Sequence, residues 1–154
     1  MPGRSALSDS LACNCSALRK AARRVSVLYD RYLAPSGLTI GQYAILAEIA
    51  CRPNDDPPAL GMLSDALVMD RTALSHTLKP LERDGLVRIG RDQRDRRVKL
   101  IYLTARGRDR ATAARSCWAE AQVHFSEAFG EDQAIALRAL LRMVADSDFG
   151  STLF

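Results

Sequence analysis

The sequence predicts a mainly α-helical protein with one small β-hairpin, a winged helix-turn-helix flanked by N- and C-terminal dimerisation helices. Three observations carry that expectation. Apolar residues recur at helical spacing along most of the chain. A short apolar segment, Ala59 to Leu67, leads through Val68-Met69 into a second helical stretch that opens at Asp70. Directly after it, two runs with strand character flank an arginine-loaded tip, giving the order helix, tight turn, helix, β-ribbon.

The elements follow in order. Leu7, Leu11, Cys15, Leu18, Ala22, Val25, Tyr29 and Tyr32 recur every three or four residues with arginines between them, which predicts a long amphipathic first helix. Proline and glycine in Ala34-Pro35-Ser36-Gly37 end it. Residues 39 to 51 read as a second helix, buried on most faces and started by a Thr39 cap; residues 52 to 58 read as a loop. Asp70 is placed to cap the helix that follows, and Pro80 inside that helix removes a backbone bond to His76, so a bend is expected there. Val87 to Arg91 and Val98 to Leu103 are the predicted strands. Thr104 then opens a long alanine-rich helix with Ala111, Ala114, Trp118, Ala121, Phe125 and Phe129 on one stripe, and Gly130 stops it. A last helix, residues 131 to 145, carries Ile135, Leu140, Leu141 and Val144. The reading places a DNA-binding domain at 39–104 and a helical dimerisation region at 7–38 and 105–147.

Charge is concentrated where the reader elements lie. Between Arg71 and Arg110 there are 12 Lys/Arg against 5 Asp/Glu, whereas the rest of the chain has 10 against 13, so the whole net +4 comes from this segment. A folded element with a local cationic surface is the electrostatic footprint of a phosphate-backbone binder. On the second helix of the pair, Arg71, Thr72, Ser75, His76 and Lys79 are expected to be exposed while Leu74, Leu78 and Leu81 pack inward. Hydroxyls, an imidazole and two cations suit base edges and phosphates in a major groove. In the hairpin, Arg91, Arg94, Arg96 and Arg97 place four arginines in seven residues. Their mutual repulsion is relieved by a narrow minor groove, which attracts inserted arginine. Asp95 is expected to hold Arg97 in a fixed direction through a charge-assisted hydrogen bond.

Composition excludes several classes. At 154 residues and 47% apolar content the chain can bury a core of its own, and no apolar run is long enough to span a bilayer, so a cytoplasmic protein without membrane contact is expected. The four cysteines, Cys13, Cys15, Cys51 and Cys117, match neither a secreted disulfide framework nor a zinc set. No metal or cofactor is expected. The two histidines, His76 and His124, are far apart, and no phosphate loop or nucleophile elbow is present, so no enzyme chemistry can be named.

Several runs together resemble the MarR (multiple antibiotic resistance regulator) family of dimeric winged helix-turn-helix transcription regulators. They are Leu60-Gly61-Met62-Leu63-Ser64-Asp65-Ala66-Leu67, the run from Met69 to Ser75, Leu81-Glu82-Arg83-Asp84-Gly85-Leu86-Val87, and Asp95-Arg96-Arg97 followed by Leu103-Thr104 and Gly107. The resemblance implies that Thr72, Ser75, His76 and Lys79 lie on a recognition helix, that Arg97 lies on a minor-groove wing, and that a homodimer reads double-stranded DNA at a pseudo-palindromic operator. It further implies a repressor, released either by a small, often aromatic, effector bound between the dimer helices and the reader domain or by oxidation of a cysteine. The segment from Cys15 to Tyr43 is similar to the organic hydroperoxide resistance regulators of that family, which place a reactive cysteine on the first helix and a tyrosine fourteen residues later, here Cys15 and Tyr29. Arg19 and Ile40 stand where that branch carries further tyrosines. Arg19, one turn beyond Cys15, could stabilise its thiolate. Cys15 is expected at an interface and Cys13 nearer solvent, whereas Cys51 and Cys117 are expected to pack. A different class stays open, a non-regulatory nucleic-acid-binding or interaction protein whose wing meets RNA or an acidic protein patch.

Overall fold

Apolar spacing decides which face of each helix is buried, and in the computed structural model, which describes residues 13–53 and 56–149, those faces converge on one core. Helix α1 runs Asn14–Leu33 and buries Tyr29 and Leu33; the expected start at Leu7 and Leu11 lies outside the described residues. A single 3-10 turn, Ala34–Ser36, closes on Gly37 in the left-handed region. Helix α2, Ile40–Ala50, begins with a reciprocal capping box in which Thr39 and Gln42 satisfy each other's backbone N–H groups. Its Ile40 N–H also donates to Asp30 Oδ1 at 2.7 Å, tying the end of α1 to the start of α2.

Helix α3, Leu60–Ala66, and helix α4, Arg71–Arg83, form the helix-turn-helix. The turn between them places Val68 at φ 49°, a left-handed conformation in a β-branched residue. Strands β1, Val87–Arg91, and β2, Lys99–Leu103, pair antiparallel with Val87 opposite Leu103 and Arg91 opposite Lys99. Helix α5, Ala105–Phe129, packs along α1 and α2, and α6, Glu131–Asp146, folds back against α5. The fully buried side chains include Leu33, Ile45, Leu46, Leu63, Leu74, Leu78, Leu81 and Ile101. One core therefore joins the reader to the base of α1 and α5.

Two expectations change, the burial of Cys51 and the first residue of the second strand. The described part of the segment expected as a loop over 52 to 58 carries neither helix nor strand, and its end lies against the wing: Pro58 C=O accepts from Ile101 N–H at 3.0 Å, and Ala59, just beyond it, forms an isolated bridge with Leu100. Cys51 is exposed instead of packed, because it is the C-cap residue of α2, beyond Ile49, the last buried side chain of that helix. Cys117 is half-buried against the core, as expected. Helix α4 continues through Pro80 to Arg83, anchored by Leu74, Leu78 and Leu81. Strand β2 begins at Lys99, one residue later than expected, because the Val98 N–H is used by the tip, donating to Asp95 C=O at 2.9 Å.

The joint between hairpin and α5 shows why the run Leu-Thr-x-x-Gly has its spacing. Thr104 Oγ1 accepts from Gly107 N–H at 2.9 Å, capping α5, and donates to Gly85 C=O at 2.7 Å. Gly107 is buried against the Leu86 carbonyl oxygen, where any Cβ would overlap that oxygen outright. The wing is thereby fixed to both α4 and α5.

Candidate nucleic-acid interface

Helix α4 supplies the first half of the site. Asp70 Oδ1 accepts from the N–H groups of Thr72 and Ala73 at 2.8 and 2.9 Å, so the carboxylate satisfies the open first turn and complements the helix dipole. Leu74, Leu78 and Leu81 are buried, which by the 3.6-residue period turns Arg71, Thr72, His76 and Lys79 to solvent. Ser75 is half-buried, and its hydroxyl donates to the Arg71 C=O at 2.7 Å. Arg71 folds back over α3, close enough to Gly61 that a Cβ there would lie 3.2 Å from its guanidinium. The exposed face of the N-terminal part of α4 thus carries Thr72, His76 and Lys79, with Arg71 steadied at its edge.

The wing tip supplies the second half. Asp92 Oδ1 accepts from Arg94 N–H at 2.8 Å, and Asp95 Oδ1 accepts from Arg97 N–H at 3.0 Å, two side-chain turns that set the tip's shape. Asp95 also takes both edges of the Arg97 guanidinium, Nε on Oδ1 at 3.2 Å and Nη2 on Oδ2 at 3.4 Å. The expected orientation of Arg97 by Asp95 is therefore present, while the Arg97 side chain stays 92% exposed. Hydrogen bonds from the Arg97 backbone and side chain hold the Asp95 carboxyl below the usual carboxylate range. Arg94 and Arg96 are exposed beside it, and Arg91 Nη1 reaches the Arg96 C=O at 3.5 Å.

The residues expected to sense an effector are not gathered. Cys15 and Arg19 are exposed on α1, and no hydrogen bond or ion pair joins them among the described residues. Tyr29 is buried on the same helix, with its phenol pushed up by desolvation and opposed by the charge of Arg138. Fourteen helical residues separate Cys15 from Tyr29, about 21 Å along the axis, so the pair cannot meet within one chain. The meeting of reader and outer helices is instead marked by Tyr43 of α2 stacked on Trp118 of α5, ring centroids 6.2 Å apart. Burial raises the Tyr43 phenol and Arg115 acts against that rise. Arg110 of α5 donates to the Ser36 C=O at 2.8 Å, tying α5 to the turn between α1 and α2. Sequence reasoning missed Asp30, Arg110 and this aromatic pair because their partners are 10 to 75 residues away along the chain, beyond any local pattern.

Comparison with known proteins defines the class. Residues 36–98 match the MarR family. The transcriptional regulator HosA of Escherichia coli O111:H- is 31% identical over 108 residues, 70% of this chain and 78% of that protein. The transcriptional activatory protein BadR of Rhodopseudomonas palustris is 33% identical over 78 residues, 51% of this chain, a match that spans only 45% of BadR. Among solved structures, the transcriptional regulator MosR of M. tuberculosis is 33% identical with a TM-score of 0.72, covering 85% of this chain and 92% of that one, and MosR has also been solved with DNA. The chain belongs to the MarR family. It is a winged helix-turn-helix, DNA-binding transcription regulator, and its relatives are regulators, not enzymes. No helix among the described residues is long and apolar enough to cross a membrane.

Proposed function

We propose that the chain acts as a homodimer that represses transcription by placing α4 in a major groove and Arg97 in the adjoining minor groove, at each half of a pseudo-palindromic operator. The observation that carries the reading is the presence on one chain of an exposed Thr72-His76-Lys79 face and an exposed wing arginine already held by Asp95. Arg71, Ser75, Arg94 and Arg96 complete the proposed surface. The MosR complex with DNA supports the same use of the fold.

Dimerisation is supported by surface that a single chain leaves wet. An apolar groove of about 1100 Å³ opens between α1, α5 and α6, lined by Leu18, Val25, Tyr29, Phe125, Leu141 and Val144, and Ile135, Leu140 and Met143 lie exposed beyond it. Patches of that kind mark interfaces, and a second copy of the chain offers the complementary face by symmetry. Release of DNA by a small aromatic acid is supported by the Tyr43–Trp118 stack beside Arg115, which lies between reader and outer helices and offers a ring face with a nearby cation.

Two measurements test the reading. Sedimentation equilibrium at micromolar concentration should give a dimer, and footprinting of the DNA upstream of its own reading frame should show protection across two successive major grooves, about 34 Å apart. A monomer that protects one half-site, or protein that binds RNA and duplex DNA alike, refutes it. Titration of the DNA complex with aromatic acids and, separately, with organic hydroperoxide assigns the effector class; release by hydroperoxide that is lost in Cys15→Ser would replace the ligand reading with the thiol one.

A further inference from the structure

The wing has a second face that the minor-groove reading does not use. Cross-strand register puts Arg88 opposite Tyr102 and Gly90 opposite Leu100, and the alternation that buries Val87 and Ile101 turns these four to the outer side of the hairpin. The Arg88 guanidinium carbon lies 4.0 Å above the centre of the Tyr102 ring. Gly90 makes that arrangement possible: a Cβ there would stand 2.9 Å from Tyr102 Cε2 and 3.3 Å from Arg88 Nη1. The recess beside them, about 550 Å³, is lined by Arg88, Arg91 and Arg94 together with Gly90, Leu100 and Tyr102. The acid on its wall is Asp92, whose Oδ1 is taken by the Arg94 N–H. Among the described residues no carboxylate pairs with Arg88, Arg91 or Arg94.

A guanidinium laid flat on an aromatic ring keeps its in-plane N–H donors free, and stacking removes much of the side-chain freedom that binding would otherwise have to freeze. Three arginines and one carboxylate on its wall leave the recess cationic. Tetrahedral phosphate oxygens match the planar donor fork of such an arginine. We propose that this recess binds a phosphate group, with Arg88 as the principal donor, Arg91 and Arg94 as supporting charges, and Tyr102 as the residue that positions Arg88. The source of that phosphate is the DNA backbone flanking the minor groove entered by the wing tip, or a free phosphate ester; the first rests on the DNA-binding reading above, and the second does not.

Two arms test the site on the full chain. In the first, backbone amide shifts of Arg88 and Gly90 are followed by NMR during titration with inorganic phosphate. Wild type and Tyr102→Phe should show saturable shifts, and Arg88→Gln and Tyr102→Leu should lose them, since phenylalanine keeps the stacking ring and leucine does not. No shift in wild type, or the same shift in Arg88→Gln, overturns the proposal. In the second, affinity for a short mixed-sequence duplex is measured across salt concentration. If the phosphate is DNA's, Arg88→Gln should lower the slope of log affinity against log salt by about one unit. If the slope is unchanged while the phosphate shifts are lost, the recess takes a free phosphate ester. Absence of salt-dependent duplex binding by wild type would remove the DNA reading and leave the phosphate arm to decide the recess. Arg88 is exposed and Tyr102 half-buried, and thermal melting of each variant confirms that the fold is kept.

Discussion

Asp95 grips Arg97 at three points, the backbone N–H at 3.0 Å and two guanidinium nitrogens at 3.2 and 3.4 Å, on a tip where the arginine is otherwise bare to solvent. An exposed ion pair contributes little to stability. Its consequence is direction: the carboxylate holds a long, flexible cation in one pose before any ligand arrives, which lowers the entropy cost of placing it.

The effect of Asp95→Ala therefore separates charge from orientation. The variant gains a unit of positive charge, and charge alone would strengthen DNA binding. We expect weaker binding, approaching that of Arg97→Ala, which should lose about 1–3 kcal/mol and its preference for an A·T-rich flank. Fluorescence anisotropy with A·T-rich and G·C-rich flanks reads both; tighter binding by Asp95→Ala would show that the pair restrains Arg97 unproductively. The Asp95 carboxyl is held below its ordinary range, so its grip is complete above that range and is lost only as pH falls through the lowered value. Binding should not weaken through this group between neutral pH and the ordinary carboxylate range.

Gly107→Ala tests the joint between wing and α5. The added methyl would overlap the Leu86 carbonyl oxygen, a backbone atom at the end of α4's turn into β1, and cannot be relieved by rotating a side chain. Destabilisation of about 1–3 kcal/mol or more is expected, against about 1–2 kcal/mol for Thr104→Ala, which removes the α5 cap and the hydroxyl's bond to Gly85 C=O but adds no clash. Chemical denaturation measures both. A neutral Gly107→Ala would mean that α5 can slide without disturbing the wing.

Val68 gives a prediction of opposite sign. It sits at φ 49° in the helix-turn-helix turn, 77% exposed, so its side chain gains little by burial while its branched Cβ strains the backbone. Asparagine adopts that conformation more readily, and Val68→Asn should stabilise by about 1 kcal/mol. An unchanged or lowered melting temperature would show that the valine is held by a contact that outweighs the strain.

The comparison of sequence with structure follows the range of the interactions. The capping bonds of Thr39, Asp70 and Thr104 span two or three residues, and the helices they cap start where the sequence places them. The Asp95–Arg97 pair was legible for the same reason, because an i, i+2 turn leaves few alternatives. Pro58 joining the wing through Ile101, Asp30 capping α2 and Tyr43 meeting Trp118 depend on segments brought together by the core, and no local pattern announces them. Cys51 was misplaced by composition, since cysteine is commonly buried and the last turn of α2 rotates it outward.

The apolar surface of α6 bears on assembly. Leu140 is 59% and Met143 67% exposed on the single chain, on a helix whose buried side chain is Ala134. A helix that buries one alanine against its own chain has most of its apolar area left to cover, and at roughly 25 cal/mol per Å² that area favours association strongly. Leu140→Glu leaves the described core untouched, so the melting profile of the reader should persist while sedimentation equilibrium shifts from dimer to monomer. DNA affinity should then fall toward that of a single half-site, because two recognition helices no longer engage together. A dimer that survives both Leu140→Glu and Met143→Glu would place the interface away from α6 and leave that helix to another partner.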